Sequence, residues 1–439
     1  MTVRNVLVFP AGTEIGLEIL NALKACKEVQ LFGAGQDVSN HARFCFPEYH
    51  TLASVHEPGW IEQLVDLCAK LHINYIIPAH DDVIVALSRA AAQIPAVIIS
   101  SPPEACEVTR SKSATYGVFS GLLRVPRLYP ATETAGAFPL LVKPDRGQGS
   151  SGITKVTNQT ELTEALARVR EPIISEYLPG EEYTIDCFSD RDKGVLFVGA
   201  RMRRRTRNGI SVNTITVSLP EAERFARVIS QVLKLRGAWF FQLKRAADGE
   251  LTLLEVAPRI AGSMAAHRVK GVNFPLLSIF EHERLPLSVT ANPGTVELDR
   301  ALSNRYRHEI AFTTLYVDFD DTLILNGKIN TEVVKLIYQC INRGQPVKLL
   351  TRHAGDITEA LNRYRLQNLF DEVIHLRSGE RKSDHIAEAG AILVDDSFAE
   401  RMEVAKKRGI PTFDCSMIEL LTLQAEDILS TRPRSERSS

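Results

Sequence analysis

Short apolar runs alternate with helical patterns over the first hundred residues, and this alternation constrains the fold more than any other feature. Runs such as NVLVFPA and NYIIPA have the length of buried strands, and LEILNALKAC between them has helical spacing. Strands separated by helices of this length usually pair in parallel. The sequence therefore predicts an α/β domain over residues 1–107.

Residues 108–305 follow a different pattern, in which strands succeed one another with glycine or aspartate turns between several of them. Strand candidates include PLLVKP, EYTIDCF, AWFFQLKRA and LTLLEVAP. Helices are expected at about 108–123, 161–170 and 220–235. This mixture predicts a second domain of the α+β class.

Strand–helix alternation returns after a polar stretch that contains proline and asparagine. The segment TTLYVDFDDTL opens this part, and VKLL, EVIHL, AILVDD and IPTFD are its further strands. We expect a third domain over residues 313–425, again with a parallel sheet. Residues 426–439 are polar and poor in apolar side chains, which predicts a disordered tail.

Composition excludes several classes of protein. The formal net charge of -1 gives no general affinity for nucleic acid or for an anionic membrane. No apolar run approaches the ~18 residues of a membrane span, and the N-terminus lacks a signal region. The seven cysteines are scattered without CxxC pairs, which favours a reducing compartment. We expect a cytoplasmic protein without nucleic-acid or membrane partners, and a homo-oligomer stays open.

The segment LVKPDRGQGSSGI has the chemistry of a phosphate site. An apolar strand delivers Lys143, and a loop containing Gly149, Ser150 and Ser151 follows it. Glycines let backbone N–H groups approach phosphate oxygens, and the lysine adds a cation. The pattern is not a Walker P-loop, and a plain surface hairpin is the alternative.

Two later segments could complete a nucleotide site. In IISEYLPGEEYTID, the backbone around Tyr177 and Leu178 could meet a base, and Glu182 could accept hydrogen bonds from ribose hydroxyls. In FFQLKRAADGELTLLEVAPR, Gln242 and Glu255 stand on the two strands of a hairpin. Facing oxygen ligands of this kind suit Mg²⁺ bound to ATP phosphates. An ordinary hairpin with acidic side chains is the alternative in both cases.

Taken in this order, VKPDRGQGSSGI, SEYLPGEEYTID and LLEVAPRIAGS resemble the ATP-grasp superfamily, over roughly residues 3–300. The likeness is to its carboxylate–amine ligases, and it implies a pre-ATP-grasp α/β domain followed by the ATP-grasp fold. ATP and Mg²⁺ would be the cofactors, with Mn²⁺ as a substitute. The implied roles are phosphate binding by Lys112 and Lys143, adenine binding by Glu176 and Leu178, ribose binding by Glu182, magnesium binding by Gln242 and Glu255, and charge neutralisation by Arg259.

The resemblance implies a reaction and contains one departure. In this superfamily ATP phosphorylates a carboxylate, and a nucleophile, usually an amine, then displaces phosphate. The family usually shows Glu-x-Asn-Pro-Arg with a metal-binding asparagine, whereas this chain has Ala257 there. Alanine cannot coordinate a metal. We expect activity to survive because Lys143, Glu255 and Arg259 remain.

The segment ARMRRRTRNGISVNT places five arginines close to a glycine loop. An arginine fork matches a carboxylate with two hydrogen bonds. We expect Arg203 or Arg205 to bind the substrate carboxylate, although the strand phase does not fix which of them faces inward. A basic surface strand, with or without bound nucleic acid, is the alternative.

The segment TLYVDFDDTLIL ends a strand with Asp318 and Asp320, a pair suited to nucleophilic and acid–base attack on phosphorus. Thr351, Lys382 and the pair Asp395–Asp396 follow at the ends of later segments. This order resembles the haloacid dehalogenase-like phosphatases, over about 313–421. The implied roles are Asp318 as nucleophile, Asp320 as general acid/base, Thr351 and Lys382 for phosphate, and Asp318, Asp320, Asp395 and Asp396 for metal.

About thirty residues separate Asp318 from Thr351, and about thirty more lead to Lys382, so neither gap holds a cap domain. We therefore predict an ATP-dependent carboxylate–amine ligase fused to a capless, Rossmann-like phosphatase. Its partners would be a small carboxylate, an amine and a phosphorylated compound. The alternative is a phosphatase whose ATP-grasp region only senses nucleotide.

Overall fold

The computed structural model describes residues 3–147, 152–207, 209–306 and 308–422. The chain divides into two compact units, Met1–Ser303 and Asn304–Ser439. The expected domains at 1–107 and 108–305 both belong to the first unit, except for residues 304 and 305. The predicted tail at 426–439 lies outside the described residues.

A parallel sheet opens the first unit, as the strand–helix alternation predicts. Its order is β3–β2–β1–β4–β5, and every pairing is parallel. The strands are β1 (Arg4–Phe9), β2 (Val29–Gly35), β3 (Tyr49–Thr51), β4 (Tyr75–Pro78) and β5 (Val97–Ile98). The helices are α1 (Glu14–Leu23), α2 (Trp60–Leu71) and α3 (Asp81–Ala90). Buried aliphatic side chains on both faces explain the continuous apolar runs.

The helix expected at 108–123 is two helices. They are α4 (Pro103–Arg110) and α5 (Lys112–Phe119). The prediction of one continuous helix was wrong because Ser111 has extended backbone, with φ -112° and ψ 126°, and its hydroxyl caps α5 by accepting from the Ala114 amide. Serine at an N-cap satisfies a free amide and starts a new helix axis. Lys112 is therefore the first residue of α5.

A small antiparallel sheet follows, with order β7–β6–β8. Its elements are β6 (Leu140–Pro144), β7 (Thr154–Val156), α6 (Gln159–Arg168) and β8 (Pro172–Glu176). The side chains of Leu140, Val142, Val156, Leu162 and Ile174 form its buried core.

A larger antiparallel sheet has the order β13–β12–β9–β10–β11–β14. Its strands are β9 (Glu182–Asp190), β10 (Gly194–Arg207), β11 (Ile210–Val217), β12 (Gly237–Arg245), β13 (Leu251–Ala257) and β14 (Glu297–Asp299). The helices are α7 (Ala222–Leu233), α8 (Ala265–Arg268) and α9 (Phe274–His282). Phe188 and Phe240 of this sheet share a core with Ile19 and Leu23 of α1. This shared core packs the first, parallel sheet's layer against the larger sheet.

The second unit is a parallel sheet with order β19–β18–β15–β20–β21. Its strands are β15 (Thr314–Val317), β18 (Val347–Thr351), β19 (Glu372–His375), β20 (Ala391–Val394) and β21 (Thr412–Phe413), with a hairpin of β16 (Ile324–Leu325) and β17 (Lys328–Ile329). The helices are α10 (Thr331–Asn342), α11 (Ile357–Arg363) and α12 (Phe398–Arg408). In the central strand β15, Leu315, Tyr316 and Val317 are fully buried. Within the described ranges, no helix has the length and apolar character needed to cross a bilayer.

Candidate active sites

The first cavity lies where the parallel sheet changes its winding direction. The loops after β1 and β4 meet there, and the Thr13 hydroxyl donates to the Ala79 carbonyl at 3.0 Å. Ligands of open α/β sheets bind at such a point, beyond the carboxyl ends of the strands. The cavity measures about 260 Å³ and extends from Glu14 and Asp81 to Glu255 and Arg300.

The second cavity, of about 250 Å³, adjoins the first. One wall is apolar and includes Leu141, Ile153 and Leu254. The other side carries the predicted nucleotide residues, which are Lys143, Glu176, Tyr177, Leu178 and Glu182. An apolar slot beside cations and a carboxylate is chemically suited to a base, a phosphate chain and a sugar.

The two cavities have a common wall. Six residues line both of them: Lys112, Gly147, Arg203, Gly209, Gln242 and Glu255. Lys112 begins α5, whereas Gln242 and Glu255 are strand residues of β12 and β13. We call this set the shared wall.

Two lysines approach the second cavity from different elements, and Lys143 is buried whereas Lys112 is half-buried. The Lys143 ammonium donates to the Tyr116 hydroxyl at 2.9 Å, and Lys112 donates to the Gly147 carbonyl at 3.2 Å. Burial, together with the positive charge of Lys112, lowers the pKa of Lys143 to about 8. Burial also lowers the pKa of Lys112, against the attraction of Glu255. Among the described residues, neither ammonium forms an ion pair with a carboxylate, which suits both cations to an anionic ligand.

Gln242 and Glu255 face each other across the β12–β13 hairpin as a register pair, as the sequence predicts. Burial raises the pKa of Glu255, and the Lys112 charge works against that rise. A half-buried carboxylate opposite an amide oxygen is a suitable donor set for Mg²⁺. If a magnesium ion binds here, Gln242 and Glu255 would hold it, and it would neutralise phosphate charge.

The two candidate arginines of β10 have different surroundings. Arg203 belongs to the shared wall, where it pairs with Glu182 and donates to the Gly209 carbonyl at 2.6 Å. Arg205 lies outside the lining of both cavities, its side chain is 60% exposed, and it pairs with Asp299 at 2.8 Å. The register of β10 and β11 shifts on both sides of Arg205, so the usual alternation of faces is lost there.

Arg259 and Ala257 both line the first cavity. The Arg259 guanidinium forms two hydrogen bonds with Asp81, at 2.6 and 2.8 Å. Burial opposes ionisation of Asp81, but Arg259 outweighs it and lowers the pKa of that carboxyl. Asp81 therefore fixes the orientation of Arg259, a connection between the start of α3 and the segment after β13 that the motif alone does not indicate. The Ala257 side chain contributes no ligand atom.

The predicted glycine-serine loop belongs only in part to the described residues. Gly149, Ser150 and Ser151 lie outside the described residues. Gly147, which is described, lies on the shared wall and accepts from Lys112.

The second unit has an ionic cluster at the carboxyl edge of its sheet. Lys382 donates to Asp318 at 2.6 Å and to Asp395 at 2.5 Å. Asp318 follows β15 and Asp395 follows β20, and these strands are neighbours. Burial raises the pKa of Asp318 to about 7, with Lys382 opposing and Asp395 adding to the shift. Burial would lower the pKa of Lys382, but the two carboxylates outweigh it and raise it.

Three of the four predicted metal residues of this unit come together. Oxygens of Asp318, Asp395 and Asp396 lie within 4.8 Å of one another, a spacing and chemistry that fit a divalent cation. If a magnesium ion binds, these carboxylates would hold it and it would offset phosphate charge. Asp320 is not part of this group.

The Asp320 carboxylate instead contacts the His353 ring nitrogen Nδ1 at 3.0 Å and is 53% exposed. Thr351 ends β18 and is buried, and its hydroxyl accepts from the His353 amide at 3.1 Å. His353 was missed by the sequence reasoning, although it stands two residues after Thr351.

Arg401 was also missed. Its guanidinium donates to the backbone carbonyls of Asp395 and Asp396, at 2.6 and 2.7 Å. Its position on α12 one turn after the aspartates is the only local signal for this contact. Arg401 thus holds the turn that presents both carboxylates.

Part of the first unit is similar to known proteins. Residues 168–297 match a family model described as ATP-grasp in the biosynthetic pathway with Ter operon. A D-alanine–D-alanine ligase from Fusobacterium nucleatum is 30% identical over 93 residues, which cover 21% of this chain and 32% of that protein. The match thus spans about a third of the length of this curated relative.

Solved structures share the fold at low sequence identity. A biotin carboxylase domain of the Hydrogenobacter thermophilus 2-oxoglutarate carboxylase, in complex with MgADP, ADP and bicarbonate, has a TM-score of 0.56 and 18% identity, over 68% of this chain and 74% of that one. An L-amino acid ligase from Bacillus licheniformis has a TM-score of 0.52 and 19% identity, over 66% of this chain and 76% of that one. The chain thus resembles an ATP-grasp family model over residues 168–297 and a D-alanine–D-alanine ligase over 93 residues, and it shares its fold with these solved structures.

Proposed function

We propose that the first unit is a Mg-ATP-dependent ligase that activates a carboxylate as an acyl phosphate for attack by an amine or another nucleophile. The observation that carries the proposal is the shared wall, because it brings Lys112, Gln242 and Glu255 between two adjoining cavities. The second cavity would take the nucleotide and the first would take the acid. The relatives named above are ligases and an ADP-binding carboxylase domain, which supports this choice.

Each residue has a part in the proposed reaction that follows from its surroundings. Lys112 and Lys143 would bind phosphate oxygens, and Arg259, held by Asp81, would face the developing charge on the transferred group. Arg203 would orient the carboxylate beside the phosphate chain, since it lies on the shared wall. Bound Mg-ATP would supply the phosphoryl group and the leaving-group activation.

For the second unit we propose an aspartate-nucleophile phosphatase of the haloacid dehalogenase-like class. The Asp318–Lys382–Asp395 cluster supports it, because it combines a nucleophile, a phosphate-binding cation and a metal ligand. Asp320, 53% exposed beside His353, would exchange the leaving-group proton. Thr351 would bind a phosphate oxygen.

One observation favours a second candidate function. Ala257 lines the first cavity where the family usually has a metal-binding asparagine. The first unit could then bind nucleotide and regulate the phosphatase without ligating.

The experiment is to incubate the full chain with ATP, Mg²⁺ and pairs of amino acids, and to measure ADP and phosphate. A ligase releases both only with a suitable pair, whereas the sensor binds ATP without turnover. If the chain binds no nucleotide, both functions proposed for the first unit are contradicted.

A further inference from the structure

The charged side chains of the first cavity are mostly engaged with protein partners. Arg259 pairs with Asp81, Arg110 pairs with Asp82 at 2.7 Å, and Arg203 pairs with Glu182. A guanidinium that is already paired offers a small substrate fewer free N–H donors than an unpaired one does.

Arg300 is the exception among the cavity's arginines. It follows β14, and its amide donates to the Val212 carbonyl at 2.8 Å, which extends the strand pairing and fixes the residue at the cavity. Its guanidinium makes no hydrogen bond or ion pair within the part of the chain that the structure describes. It contributes positive charge near Glu18, but Glu18 already pairs with Arg268 at 2.6 Å. Arg300 is therefore not needed to neutralise a protein carboxylate.

Gly262 leaves room for this guanidinium. A Cβ at Gly262 would lie 3.3 Å from both terminal nitrogens of Arg300 and 3.1 Å from the Glu14 carbonyl. Both glycine and arginine line the first cavity, next to the residues that begin α1. Because Gly262 has no side chain, the Arg300 guanidinium can lie against this loop with both of its terminal nitrogens close to the glycine.

The balance of charge indicates which anion would be bound. Glu14 also lines the cavity and has no partner among the described residues. The proposed nucleotide and its magnesium would engage Lys112 and Glu255 of the shared wall, which leaves Arg300 as the unpaired cation and Glu14 as the unpaired anion on the substrate side. A phosphate dianion would favour a second free cation, whereas a single carboxylate matches one bidentate guanidinium.

We propose that Arg300 binds a carboxylate of the substrate in the first cavity and thereby selects acids over their uncharged analogues. This inference rests on the proposed function, which makes the first cavity the substrate side of the ligase. Arg300 is a specificity-determining residue here, separate from the nucleotide-binding shared wall.

Calorimetry on the full chain, with Mg²⁺ and a non-hydrolysable ATP analogue present, tests the proposal. The probes are amino acids and simple carboxylic acids, each compared with its carboxamide, and inorganic phosphate. The wild-type chain should bind at least one acid about tenfold or more tightly than its amide, as loss of a charged hydrogen-bond pair predicts. Arg300→Met should bind the two alike, and Arg300→Lys should restore part of the difference.

Two further variants complete the design. Gly262→Ala adds a methyl against the guanidinium without altering charge and should weaken binding of the acid. Arg224→Met removes an exposed arginine of α7 and should leave the acid–amide difference unchanged. Melting temperatures show whether each variant is folded.

The proposal is overturned if the wild type distinguishes no acid from its amide, if Arg300→Met retains the preference, or if inorganic phosphate binds through Arg300 more tightly than every acid. These results are separable from failure of the proposed function. A wild-type chain that does not bind the ATP analogue contradicts the ligase assignment itself.

Discussion

Gln242 and Glu255 lie directly opposite each other on β12 and β13, and both belong to the wall that the two cavities share. This pairing places an amide oxygen beside the half-buried Glu255 carboxylate, whose pKa is raised by desolvation against the Lys112 charge. A cation would relieve the cost of burying that negative charge.

Glu255→Gln should therefore abolish magnesium-dependent turnover while preserving the shape of the side chain. We expect at least a hundredfold loss of ADP release, of the order seen when one electrostatic contact to a transition state is removed. A Mg²⁺ titration of ATP turnover measures the change. Glu250→Gln, in the exposed turn of the same hairpin, is the matched control. Wild-type turnover in the Glu255 variant would exclude this residue as a metal ligand.

Nucleotide affinity should depend on pH through Lys143. Its pKa is lowered to about 8, first by burial and then by Lys112, so the free site loses this positive charge as the pH rises through 8. We expect the dissociation constant for ATP to increase between about pH 7.5 and 9, because the protonated form binds phosphate more strongly. Fluorescence titration at several pH values measures it. Lys143→Arg, which stays charged, should flatten the profile; an equally steep profile in that variant would assign the titration to another group.

Asp318→Asn should remove phosphatase activity of the second unit by about a thousandfold or more, since the amide is a poor nucleophile. Hydrolysis of p-nitrophenyl phosphate with Mg²⁺ provides the measurement. Asp321→Asn is the control, because Asp321 lies in the same acidic run but has left-handed backbone (φ 55°), a conformation that asparagine also tolerates. Equal activities of the two variants would reject Asp318 as nucleophile.

The stability of the second unit should fall in acid partly through Glu388. Hydrogen bonds from Lys348 and Tyr316 lower the pKa of Glu388 to about 2. A lowered folded-state pKa gives stability that is present above the unfolded value of ~4.5 and is lost as the pH falls toward 2. Glu388→Gln should cost about 1 kcal/mol at pH 7, as expected for a pair near the surface. In urea unfolding, the difference from wild type should shrink as the pH falls below about 4.5 and should disappear near pH 2. A difference independent of pH would contradict the assignment.

The sequence predicts the layers well because strand–helix alternation and hairpin turns are local signals. The parallel order around β1 and the facing of Gln242 and Glu255 both follow from such signals. The faces of β10 on which Arg203 and Arg205 lie do not follow from local signals, because the bulge at Arg205 depends on pairing with β11. Arg300 has no local signal at all, since it reaches the cavity only by extending the β11–β14 pairing.

The sequence motifs also do not predict which partners individual side chains contact. The clamp of Asp81 on Arg259 joins residues 178 positions apart in the chain. The contact of Asp320 with His353 depends on how the loops after β15 and β18 meet. In both cases a residue outside the motif fixes the orientation of the side chain, so the spacing within the motif does not predict it.

If a nucleotide and an acid bind on the two sides of the shared wall, the affinity for each depends on whether the other is bound. A nucleotide that neutralises Lys112, or that alters the charge near Arg203 and Glu255, changes the field felt by an acid on the other side. Linkage then requires reciprocity: the factor by which nucleotide changes the affinity for the acid equals the factor by which the acid changes the affinity for nucleotide. The order in which the two compounds are added can alter the rate of assembly, but the affinity of the complete complex is the same by either route.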